Sequence, residues 1–279
     1  DFRNVEIPRL RFIFQEDAQQ TTEMFNNGEI HWVYGGISIE DVEYRETIVI
    51  NPMFATTYFF FSVQEEPWND PRVRRALALL LPWDEIRDPE VLFTPAISLV
   101  PPIPGYRGVE GLTEQNREEA LLLLDEAGYP GGVGLPEMTF RVPVGMETAR
   151  VFLSMRDTWE EELGLSIEAE VVPYPAYFSA LSEPGFTLGT ISWIGDFADP
   201  LTFLQMWTSD SNLNDSGYSN AEYDELIDEA IGIAPPARFD RLKEAEEMIL
   251  QSGLVLPISH SPAINLVDLS FIDGWYPNP

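Results

Sequence analysis

The segment from Thr187 to Glu229 constrains the fold most, because it joins an apolar run to a helix start through one tight turn. Leu188 to Trp193 has strand character, and Gly195-Asp196 permits a bend at the strand's carboxyl end. Asp199-Pro200 reads as a helix start: aspartate accepts from the first free N–H groups, and proline's fixed φ suits the first helical position. Phe203, Leu204 and Trp207 give that helix an apolar face. Strand, turn and helix in this order form the unit of an α/β fold, and ligand clefts commonly open at such strand ends.

The same alternation runs along the rest of the chain without a fixed repeat. Arg9 to Phe14 reads as a strand, followed by a polar helix from Ala18 to Asn26 and a short strand at Ile30 to Val33. Thr56 to Val63, β-branched and aromatic, reads as a buried strand. Asp70 before Pro71 predicts a cap for a helix over Arg72 to Leu81, and Pro82 should end it. Arg72, Arg74 and Arg75 are expected to salt-bridge to an acidic surface. Asn116 with Glu119 resembles a capping box for a helix through Ala127. Met138 to Val142 reads as a strand, and Phe152, Met155, Trp159 and Leu163 share one helical face.

Ile167, Ala169 and Val171 alternate with polar residues as in a half-buried strand, and Tyr174, Tyr177 and Phe178 follow on a short helix; such aromatics can line a pocket, but packing between helix and sheet is the preferred reading. Ser219 to Glu222 resembles a second capping box, with Tyr223, Leu226, Ile227, Ala230 and Ile231 at helical spacing behind it. Pro235-Pro236 opens a long helix to Gln251, Leu254 to Ile258 reads as a strand, and Phe271 to Pro279 as a closing loop.

Trp193 and Asp196 can be read in two ways. A carboxylate beside an indole pairs with a ligand ammonium while the ring covers apolar or cationic parts of the ligand. Equally, turns favour aspartate and cores favour tryptophan.

The pattern Trp193-x-Gly195-Asp196-x-x-Asp199-Pro200, the Tyr218-Ser219 turn and the helix from Glu222 to Ile227 resemble the family 5 extracellular solute-binding proteins of ABC importers. Asn69 to Leu77, Pro101 to Tyr106 and Glu118 to Pro130 match in the same order. The pattern breaks where the family helix usually continues, since Leu80-Leu81-Pro82-Trp83-Asp84 stands there instead.

The resemblance implies a periplasmic-binding-protein-like α/β fold of class II, with residues 54–261 as the C-terminal ligand-binding lobe. Residues 1–53 would then be a fragment of the first lobe, 262–279 a segment returning to it, and the whole an excised portion of a larger receptor. It also implies that peptide-like solutes are captured in a cleft between lobes, with Asp196 holding an α-ammonium and Trp193 lining the same pocket. Gly195 and Phe197 of the turn complete the candidate ligand contacts. Sugar oligomers or metal chelates are alternative solutes, and a ligand-sensing receptor domain is an alternative role. The expected partners are ABC permease subunits, the expected state a monomer, and the expected location periplasmic or extracellular, with a cell-surface lipoprotein as one form of the full-length protein.

Composition narrows the remaining classes. The chain has no cysteine and two histidines, His31 and His260, so thiolate chemistry is excluded and a structural reading of His31 is preferred to a metal site. No cofactor is implied. With 47 acidic against 16 basic residues and a net charge of −31, nucleic acid and anionic membrane surfaces are disfavoured partners. No apolar run is long enough to span a membrane. No G-x-S-x-G, H-E-x-x-H, Walker or G-x-G-x-x-G motif is present, leaving a carboxylate-pair glycoside hydrolase as the enzymatic alternative.

Lys243 is the only lysine, so arginine-biased codon usage is one source of this balance and adaptation to high salt another. Adaptation to salt predicts a melting temperature that climbs steeply with NaCl, as screening relieves self-repulsion. A melting temperature that stays flat as NaCl is raised would remove that reading.

Overall fold

The computed structural model describes residues 9–15, 17–88 and 94–276. In chain order the elements are α1 (Ala18–Asn26), β1 (Trp32–Tyr34), β2 (Ile48–Phe61), α2 (Pro71–Leu80), α3 (Trp83–Ile86), β3 (Thr94–Pro95), α4 (Arg117–Glu126) and β4 (Met138–Pro143). They continue with α5 (Arg150–Leu163), β5 (Ile167–Val172), α6 (Tyr174–Leu181), β6 (Leu188–Ile194), α7 (Leu201–Leu204), α8 (Ala221–Gly232), α9 (Ala237–Gln251) and β7 (Val255–Val267). Two compact units divide them: residues 54–261, and residues 1–53 with 262–279.

In the larger unit the strand order is β7-β2-β6-β4-β5, with β3 pairing the outer side of β7. β4 runs parallel to both β5 and β6, whereas β2 is antiparallel to β6. The carboxyl ends of β4, β5 and β6 therefore share one edge of the sheet.

The aromatic run in β2 explains why both faces are covered. Phe59 and Phe61 point into a core with Leu77, Phe140, Phe152 and Trp159, while Tyr58 and Phe60 point into a second core with Trp207, Tyr223, Ile249 and Leu250. A strand buried on both faces reads as continuous apolar sequence rather than as alternation. Each of these fully buried side chains contributes about 1.5–3 kcal/mol over exposure.

Local signals set several helix ends. Asp70 accepts from the Arg72 N–H at 2.8 Å and the helix stops at Leu80, before Pro82. Asn116 caps α4 by accepting from the Glu119 N–H at 3.1 Å, but the expected box is only half formed: the Glu119 carboxylate accepts from the Asn116 side-chain amide, while the Asn116 N–H donates to the Leu79 carbonyl. The Phe152, Met155, Trp159 and Leu163 stripe is buried along α5.

Other expectations are corrected. Arg9 to Phe14 forms no strand, and Leu10, Phe12 and Phe14 are exposed. Apolar residues alone do not make a strand without a ladder partner. β2 starts at Ile48, ahead of the expected Thr56, because Pro52 is tolerated there and the buried Asn51 bonds Asn265. The cap of α8 is Asn220, which accepts from the N–H groups of Glu222 and Tyr223; Ser219 instead bonds Ser209.

Arg72 and Arg75 pair with Asp70 and Glu119 as expected, but Arg74 is buried and donates to the Trp68 carbonyl at 2.8 Å. Tyr177 packs in the core, whereas its helix neighbours Tyr174 and Phe178 are 63% and 50% exposed. Val171 and Ile231 are also exposed.

In the smaller unit, Phe25 of α1 packs with Val33, Val42 and Leu266, and β1 pairs with Asn265–Val267. His31 stacks on Phe271 at 3.8 Å between ring centroids, and among the described residues no cluster of ligating side chains could hold a metal. The final stretch of that unit up to residue 276 carries no helix or strand, and the rest of the expected closing loop lies outside the described residues.

Candidate functional site

β6 delivers Trp193 and then the Gly195–Thr202 turn to the carboxyl edge of the parallel strands. Trp193 lies opposite Thr56 in the β2 ladder, half-buried against the Tyr58 core. Its Nε1–H is enclosed and meets no acceptor among the described residues. The indole therefore serves the core and offers the edge only part of its surface.

Gly195 donates to the Phe54 carbonyl at 2.8 Å. A Cβ there would overlap Phe54 Cδ1 and lie 3.0 Å from Thr202 Cγ2, so the close approach of the Phe54 ring requires glycine. The Asp196 N–H donates to Thr202 Oγ1 at 3.0 Å, and Asp199 Oδ1 accepts from the Leu201 N–H at 2.9 Å. α7 does begin behind Asp199-Pro200, but it is a four-residue helix followed by a 3-10 turn over Gln205–Trp207.

These bonds fix the backbone and leave the Asp196 side chain free. It is exposed, and no arginine, lysine or histidine pairs with it among the described residues. Asp199 differs: Arg238 of α9 grips it at 2.6 and 2.8 Å. Phe197 and Ile194 are 45% and 51% exposed beside Asp196 in sequence, so carboxylate and apolar surface are presented together. Tyr174 and Phe178, edge to face at 5.6 Å, stand just past β5 on the same sheet edge. Sequence reasoning preferred packing for them and kept pocket lining as the alternative, since their spacing does not separate the two.

Two other titratable groups, the half-buried His260 and the buried Glu246, stand near these strands. Thr56 donates its hydroxyl proton to the Leu99 carbonyl at 2.8 Å, so His260 Nδ1, 2.9 Å from the same oxygen, is the donor in that contact. Burial holds the His260 imidazole down to about 4. Glu246 on α9 is fully buried and accepts from the Val100 N–H and the Tyr106 hydroxyl; burial pushes its carboxyl up to about 7.

Two shallow recesses among the described residues lie away from the turn. One is lined by Ser62, Glu65, Glu137 and Phe186 at the amino end of β6, the other by Leu112, Asn116 and Gln251. No helix among the described residues is long and apolar enough to cross a membrane.

The sequence signature described as Bacterial extracellular solute-binding proteins, family 5 Middle matches residues 1–215. The chain is 29% identical over 226 residues to the Escherichia coli (strain K12) protein named "Probable deoxycholate-binding periplasmic protein YgiS", covering 78% of this chain and 42% of that protein. It is 26% identical over 261 residues to the periplasmic oligopeptide-binding protein OppA of Salmonella typhimurium, covering 87% and 47%. In fold it is similar to the Escherichia coli murein tripeptide binding protein MppA, with a TM-score of 0.75 at 23% identity over 91% of this chain and 52% of that one. The chain thus spans about half the length of the curated relatives it matches. The family match covers well over half of the chain and includes the Trp193-x-Gly195-Asp196 turn. The resemblance read from the ordered motifs is thereby borne out, and the chain belongs to the family 5 bacterial extracellular solute-binding proteins.

Proposed function

We propose that this chain is part of the substrate-binding component of an ABC importer, and that the solutes it helps capture are peptide-like. The observation that carries this reading is the unpaired Asp196 carboxylate on a turn whose backbone is bonded by Phe54 and Thr202. Such a group can pair with a ligand α-ammonium without first breaking an internal ion pair. Phe197, with Tyr174 and Phe178 along the same edge, supplies apolar contact to ligand side chains, and Trp193 contributes its accessible part. OppA and MppA, named for oligopeptides and a murein tripeptide, support the solute class.

Residues 54–261 act in this reading as the C-terminal ligand-binding lobe, and residues 1–53 with 262–279 as parts of the first lobe. The partners are permease subunits and the site of action is the periplasm or the cell exterior. The role is capture rather than turnover, and no residue is assigned to catalysis.

The charge-assisted bond is worth about 1.5–3 kcal/mol, so Asp196→Asn in the full-length gene product should weaken peptide binding roughly tenfold or more. Calorimetric titration with a mixed tripeptide pool reads this directly. An unchanged affinity would discard the anchor. Native mass spectrometry of the receptor purified from its source tests the solute class: released amino-acid masses support it, and sugar or chelate masses replace it.

A further inference from the structure

Asp199 and Arg238 are 39 residues apart in sequence, yet they form a two-pronged ion pair, with the Arg238 side chain 14% and the Asp199 side chain 27% exposed. Nothing local to α9 accounts for this arginine. It is the second residue of the helix, where the unpaired N–H groups already carry positive partial charge and a cation is unfavourable. What it gains there is Asp199, whose Oδ1 also accepts the Leu201 N–H. α7 spans only Leu201–Leu204, too short to hold the turn by its own hydrogen bonds. The turn is thus tied at one end to β2, through Gly195 and Phe54, and at the other to α9, through Asp199 and Arg238. Asp196 lies between the two ties.

We propose that Arg238 is a positioning residue for the ligand anchor: by gripping Asp199 it fixes the Gly195–Thr202 turn and so the place at which the Asp196 carboxylate meets a ligand ammonium. This rests on the ammonium reading of Asp196 given above. A planar fork is needed for the grip, because two parallel N–H donors fix orientation as well as distance, and an ammonium supplies only a point charge.

The test uses the full-length gene product, a mixed tripeptide pool and the same pool N-acetylated, with melting temperature recorded for each variant. The wild type should prefer the free-amine pool about tenfold, a preference that Asp196→Asn abolishes. Arg238→Gln should lower that preference at least threefold while leaving affinity for the acetylated pool unchanged, and Arg238→Lys should restore part of it. Asp199→Asn, which removes the other half of the pair, should reproduce the Arg238→Gln result, and it stands in if that variant does not fold. Equal weakening toward both pools, or no change toward either, overturns the positioning role while leaving Asp196 as anchor. A wild type without preference, unaltered by Asp196→Asn, overturns the anchor itself and the positioning role with it.

Discussion

Gly253→Ala is expected to destabilise the larger unit by about 4 kcal/mol, a strained φ contributing about 1–3 kcal/mol and overpacking a similar amount. Gly253 follows α9 with φ +67°, and its N–H closes the helix on the Leu250 carbonyl. An added Cβ would lie 2.7 Å from Arg74 C and O and 2.8 Å from Arg75 N. These are backbone atoms in the middle of α2, so no rotamer change relieves the contact. Arg74 is itself buried, and Arg75 of α2 donates to both the carbonyl and the side-chain oxygen of Gln251 at the end of α9, so the two helices cannot separate without breaking those bonds.

At roughly 2–4 °C per kcal/mol for a unit of this size, the melting temperature should fall by about 8–16 °C. Gly128→Ala is the control. Gly128 has φ +91° after α4 but open space around its Cβ position, so only the φ term applies and the loss should stay near 1–2 kcal/mol. Equal losses in the two variants, read by thermal melts, would mean that the α2 and α9 contact yields to a methyl group.

The contrast between these glycines shows where sequence reading reaches and where it stops. That Gly128 and Gly253 end helices is legible, because glycine after a periodic stretch is a local signal. That one of them touches another helix is decided by packing between residues far apart in the chain. The site divides in the same way. The strand over Leu188–Ile194, its turn and the start of a helix behind Asp199 could be read, since each rests on neighbouring residues. The length of α7 could not, because Trp207, Phe203 and Leu204 are buried by other elements whichever helical form carries them.

Arg238 and Glu246 left a trace that composition obscured. Both fall on the face of α9 that also carries Leu242, Ala245 and Ile249, which is unusual for charged residues. In a chain with 47 acidic residues one more glutamate draws no notice, although its place in an apolar stripe is the signature of burial. Arg9 to Phe14 failed in the opposite sense: its composition suits a strand, but among the described residues no ladder partner meets it.

Glu246 and His260 should give the folded chain opposed pH dependences, each worth about 3 kcal/mol, from a shift of roughly two and a half pH units at 1.36 kcal/mol per unit. Burial raises the Glu246 carboxyl from 4.5 to about 7 in the folded state, partly offset by the Tyr106 hydroxyl and the Val100 N–H. Below pH 4.5 it is protonated whether folded or unfolded and costs nothing. Between 4.5 and 7 the unfolded chain ionises first, so stability falls as pH rises, and above 7 the whole loss is in place. Burial lowers His260 from 6.5 to about 4. Above pH 6.5 it is neutral in both states; as pH falls toward 4 the unfolded chain takes up a proton that the folded one refuses, and stability falls with it.

From about pH 4.5 to 6.5 the two slopes have opposite sign and nearly cancel, which hides both in the parent protein. Single variants should expose them. Glu246→Gln keeps an acceptor for Val100 and removes the charge, so its stability relative to the parent should rise by about 3 kcal/mol between pH 4.5 and 7.5. His260→Asn keeps a donor near the Nδ1 position for Thr56, and its relative stability should rise by a similar amount as pH falls from 7 to 4. Denaturant titrations at half-unit pH steps give each difference directly, and the other carboxylates cancel because they are common to both proteins. A pH-independent difference for Glu246→Gln would mean that the carboxyl stays ionised in its enclosure, with Tyr106 and the loop amides stabilising the anion as well as water does.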